Sequence, residues 1–100
     1  MIRNEFREFL AQKCWDAEAF YQITAFSEDS WLVHYYAGDN PSQFAVSKRF
    51  DYKGLSFKIK YHPQNPNFEV DIDFVDIVLN RVKENIKEYV NYLESEDVSN

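Results

Sequence analysis

Cysteine occurs once in this chain of 100 residues, at Cys14, so no internal disulfide framework is possible and the fold must stand on packing alone. Glycine is nearly as scarce, with two residues, and proline has three. That excludes collagen-like and low-complexity chains. Long apolar runs are also missing: Trp31 to Ala37 and Phe74 to Leu79 fall far short of the ~20 residues that cross a bilayer, and His34 and Asp76 interrupt them. No membrane span is expected. The first residues, from Met1 to Glu8, lack the apolar block of a secretory signal, and together with the lone cysteine this leads us to expect a cytoplasmic protein. Positive charge is in deficit. Lys and Arg number 11 against 17 Asp and Glu, a net charge of -6 that repels phosphate backbones and favours a basic protein partner over nucleic acid.

What the chain does have is apolar mass: hydrophobic residues make up 45 % and aromatic ones 18 %, enough for one compact core. A single domain is expected over residues 1–94, followed by a frayed acidic tail at 95–100. Ile2, Phe6, Phe9 and Leu10 recur at helical spacing, so a short amphipathic helix ending near Trp15 is predicted. Glu18 to Phe26 then alternates as a strand. After the turn residues Ser27 to Ser30, Trp31 to Ala37 is dense in aromatic and β-branched side chains and reads as a second strand. Gly38 to Ser42 is the clearest loop, and Phe44 to Tyr52 resumes extended structure. Lys53-Gly54 marks a tight hairpin onto Leu55 to Tyr61.

Phe68 to Asp73 alternates again and is expected to form a fifth strand, with Lys60 opposite Glu69 and Lys58 opposite Asp71. Val75, Val78, Leu79, Val82, Ile86, Tyr89, Val90 and Leu93 keep the period of a long helix, with Asp73 and Asp76 resembling a capping box. The fold class expected is therefore α+β: an N-terminal helix, a five-stranded antiparallel meander, and a long C-terminal amphipathic helix packed on one face of the sheet.

Pairing Phe26 with Trp31, Ala37 with Phe44, Tyr52 with Leu55 and Tyr61 with Phe68 assigns every side chain to a face. Phe20, Phe26, Trp31, Val33, Tyr35, Phe57 and Ile59 fall on the core side by this register. The reverse face of the first two strands then collects Tyr21, Ile23, Ala25, Leu32, His34 and Tyr36, an apolar and aromatic patch. The N-terminal helix could cover that patch. Left open, it is a docking surface, with Tyr21, Ile23, Leu32, His34, Tyr36 and Arg49 as contacts and Glu28, Asp29 and Asp39 as an acidic rim for a basic partner.

Catalytic chemistry finds little support. His34 has no reactive partner in the pattern, and Cys14 stands beside an amphipathic stripe with no nucleophile motif around it. Glu69, Asp71, Asp73 and Asp76 spread along a strand and a helix cap and do not gather around a metal, and Gly38 and Gly54 are isolated, so no nucleotide loop exists. No enzyme, cofactor or metal is expected. The sequence points to a non-catalytic acidic binding protein, an inhibitor or immunity-type factor that blocks a basic protein such as a nuclease or toxin. The alternatives are a homo-oligomer using the same patch, or a ligand pocket or enzyme site near His34. Lys48 breaks the alternation by pointing into the core, which requires a bulge or an edge position.

Overall fold

The computed structural model describes residues 5–14, 19–38, 45–63 and 72–98. It is an α+β fold: α1 (Phe6–Ala11), β1 (Phe20–Ser27), β2 (Ser30–Tyr36), β3 (Val46–Tyr52), β4 (Leu55–His62) and α2 (Ile72–Val98). The four strands form one mixed sheet in the order β1-β2-β4-β3. β1 pairs antiparallel with β2 and β3 antiparallel with β4, but β2 and β4 run parallel.

The five-stranded antiparallel meander is thus corrected to four strands with a parallel centre. A meander would have buried β3, with its Lys48, Arg49 and Asp51, between two neighbours. The fold instead sends β3 to the edge and inserts β4 beside β2, because Leu55, Phe57, Ile59 and Tyr61 give β4 an unbroken apolar face and charged strands are tolerated best at edges. Residues 68–71 lie outside the described residues, while Ile72 and Asp73, expected to end a fifth strand, open α2. With β2 and β3 on its two sides, β4 has no edge free for the predicted Lys58–Asp71 and Lys60–Glu69 pairs.

A second correction concerns register. Phe26 does not pair with Trp31; Ala25 does, and a bulge between Ala25 and Ser27 absorbs one residue before Ser27 meets Ser30. A slip of one residue inverts a strand's facing. Tyr21, opposite Tyr35, is therefore buried at 2 % exposure, whereas Phe20 and Phe26, expected in the core, are 45 % and 63 % exposed.

The core lies between the sheet and both helices. Val75, Val78, Leu79, Val82, Ile86, Tyr89, Val90 and Leu93 of α2 are all buried. α1 joins them through Phe6 and Leu10: the Phe6 ring lies 4.9 Å from Tyr89 and 6.2 Å from Phe57. α1 ends at Ala11, ahead of the expected end near Trp15, and it sits on the same side of the sheet as α2. Asp73 is a first-turn residue of α2, where a carboxylate complements the helix dipole, so the predicted capping box is displaced into the helix. α2 continues through the acidic stretch to Val98. Lys48 resolves as an edge residue without a bulge: its amine donates to Asn80 of α2 at 3.2 Å. At the β3–β4 hairpin, Lys53 and Gly54 both take positive φ, 52° and 81°, the left-handed pair that a two-residue turn requires.

Candidate functional site on the open sheet face

Alternation along the four strands fixes the face turned away from the helices. It carries Phe20, Gln22 and Thr24 from β1; Leu32, His34 and Tyr36 from β2; Lys58, Lys60 and His62 from β4; and Ser47, Arg49 and Asp51 from β3. Phe20, Tyr36 and His62 are lateral neighbours across three strands, and their rings stack into a column. Phe20 and Tyr36 are 4.6 Å apart at 17°, and Tyr36 and His62 are 4.3 Å apart at 18°. Centroid spacings this short between near-parallel planes mean that the rings lie face to face. His34, two residues from Tyr36 on β2, stacks beside it at 5.5 Å. The Tyr36 hydroxyl donates to Gln22 Oε1 at 3.1 Å, which ties the column to β1.

His34 Nδ1 and His62 Nε2 are 2.8 Å apart, so one ring nitrogen donates a proton to the other. The bond survives only while one of the two facing nitrogens is bare. Burial, His62 and Lys60 all push the pKa of His34 below its ordinary 6.5. A base whose pKa is lowered by folding leaves stability untouched at high pH and removes it as the unfolded chain takes up protons, below about 6.5. Urea midpoints should therefore fall between pH 8 and pH 5 by more in the wild type than in His34→Gln. Equal slopes for the two would show that the histidine pair carries no linkage.

Fixed charge on this face is mainly positive. Lys58 lies opposite Arg49, Lys60 lies between His34 and Ser47, and Asp51 offsets Arg49 across 3.5 Å. The carboxylates expected as a rim are elsewhere. Glu28 and Asp29 form the β1–β2 turn, six residues of β2 from Tyr36 and so ~20 Å away. The Asp29 carbonyl accepts the Ser56 N–H at 2.7 Å, which anchors that turn to β4. Asp39 lies outside the described residues.

Of the residues chosen from sequence, Leu32, His34 and Tyr36 do share this face, with Leu32 between Thr24 and Lys58. Arg49 is also there, but β4 separates its strand from β2, so it is not adjacent to His34. Tyr21 and Ile23 turn to the core side, where burial pushes the Tyr21 hydroxyl well above the ordinary range. Neither α1 nor α2 covers the open face, since both pack on its opposite side. Cys14 follows α1 on the core side and is half-buried, so it forms no nucleophile pair with His34. Among the described residues no group of three metal-ligating side chains occurs.

Sequence reasoning missed Phe20 and His62. Phe20 was lost to the bulge. His62 lies one residue beyond the strand expected over Leu55 to Tyr61, although its separation of two from Lys60 places it in phase with the reverse face. A smaller surface was also missed, at the start of α2, where Phe74 and Ile77 are 51 % and 53 % exposed beside Asp73 and Asp76. Both are out of phase with the buried stripe, and that was the available signal. No protein-family model, curated protein or solved structure matches this chain.

Proposed function

We propose that this chain is a non-catalytic binding protein of the inhibitor or immunity type, which acts by docking the open sheet face onto another protein. The observation that carries the reading is the Phe20–Tyr36–His62 column with His34 beside it on a face that neither helix covers: His62 is itself buried at 8 % exposure, and Phe20, Tyr36 and His34, stacked with it, offer the contact. Pre-stacked aromatic rings bury area on contact while losing little side-chain freedom, which is why such residues dominate interface energetics. Arg49, Lys58 and Lys60 surround them, so the docked segment presents carboxylates or other acceptors at this contact.

A basic partner, favoured by the net charge of -6, has a separate place to bind: Phe74 and Ile77 flanked by Asp73 and Asp76. The two readings differ in which side of the molecule touches the partner. A photo-crosslinking side chain at Lys58 reports the sheet face, and one at Asp76 reports the start of α2. The first reading expects one protein from the native lysate to be captured from position 58 alone, and expects Tyr36→Ala to weaken its binding at least ~10-fold, as truncation of a central aromatic does. Capture from position 76 alone overturns it in favour of the basic-partner reading, and no adduct at either position overturns both.

A further inference from the structure

The two edges of the sheet are built differently. β3 carries Lys48, Arg49 and Asp51, the usual protection against pairing with another chain. β1, Phe-Tyr-Gln-Ile-Thr-Ala-Phe-Ser, has eight residues with no charge and no proline, and among the described residues it is hydrogen-bonded to a strand on one side only. It also bears two of the largest exposed apolar side chains among the described residues, Phe20 at 45 % and Phe26 at 63 %. An uncharged strand of this length at an edge is a template for strand addition, and the question is which strand fits.

We infer that the occupant is a second copy of this chain, added antiparallel through β1 about a two-fold axis at Ile23. In that register Ile23 meets its own copy on the core side, where Ile23 is half-buried. Tyr21 faces Ala25, Gln22 faces Thr24, and Phe20 faces Phe26, each twice by symmetry. The pairing opposes no like charges and covers both exposed phenylalanines. The bulge beside Phe26 ends the flat part of the edge, which limits the addition to one strand's length and to this register. β3 offers no equivalent: self-pairing there would set Lys48 and Arg49 among their own copies. The result is a continuous eight-stranded sheet in which the ring-bearing faces of the two copies lie side by side. The pairing does not depend on the function proposed above, since it uses the edge: of the docking column it covers Phe20 and leaves Tyr36 and His34 free.

Sedimentation equilibrium over a range of concentrations reads the self-association directly. The wild type should form a dimer, and Gln22→Lys with Thr24→Lys, both exposed, should raise the dissociation constant ~10-fold or more by opposing two lysine pairs across the axis. Gln22→Glu with Thr24→Lys converts the same contacts to opposite charge and should restore the dimer. In a Cys14→Ser background, Ile23→Cys should cross-link to its own copy on oxidation, because directly opposed residues bring their Cα atoms within disulfide range, whereas Gln22→Cys should not. Circular dichroism establishes that each variant is folded. A wild type that remains monomeric throughout overturns the inference. So does a dimer indifferent to the lysine pair, or one that cross-links from position 22 and not from position 23.

Discussion

Tyr21→Ala should destabilise the protein by about 3–5 kcal/mol, while Phe20→Ala, one residue away, should cost about 1 kcal/mol. Tyr21 is 2 % exposed and packs edge-on against Tyr35 at 5.0 Å, so truncation leaves a cavity between β1 and α2 that the surrounding side chains cannot close. Phe20 is 45 % exposed and loses only its stacking on Tyr36. For a domain of this size each kcal/mol moves the melting temperature by ~4–8 °C, so the two variants should be separated by at least ~10 °C in a thermal melt followed by circular dichroism. The contrast tests the bulge itself. Without it β1 would be inverted, and the larger loss would belong to Phe20.

Val82→Asp should abolish folding, whereas Ile77→Asp, five residues earlier on the same helix, should leave stability within about 0.5 kcal/mol of the wild type. Val82 is 0 % exposed midway along α2, and no cation is buried with it among the described residues. An unpaired carboxylate there costs several kcal/mol, a large part of the ~5–15 kcal/mol that holds a domain of this length together. Ile77 is 53 % exposed on the outward side, where a carboxylate keeps its water. Soluble expression and the far-ultraviolet spectrum distinguish the outcomes. A folded Val82→Asp protein would mean that α2 is not seated on the sheet through this stripe.

The sheet-bound side of α2 was legible from spacing because a helix repeats its facing every 3.6 residues, and eight apolar positions from Val75 to Leu93 hold that period whatever lies opposite. The β3–β4 hairpin was legible for a similar local reason. Lys53-Gly54 permits a two-residue turn, and such a turn fixes the register of Tyr52 on Leu55. Leu32, His34 and Tyr36 fall on one face because they alternate along a single strand.

By itself, then, the sequence determined the α+β class, the single-cysteine, packing-only character of the fold, the alternation of side chains along the strands and the buried stripe of α2. All of these follow from intervals of a few residues. Tertiary structure alone decided which strands are neighbours and which residue of β1 is left over. Seating β4 between β2 and β3 puts at the centre a strand whose core side is unbroken by charge, in place of β3 with its Lys48, a comparison between whole elements and not within one. The bulge at Phe26 moves Tyr21 into the core and Phe20 out of it, because a strand has only two faces and one extra residue exchanges them. The column of Phe20, Tyr36 and His62 needs both decisions at once, since its three rings come from strands whose adjacency no local pattern encodes.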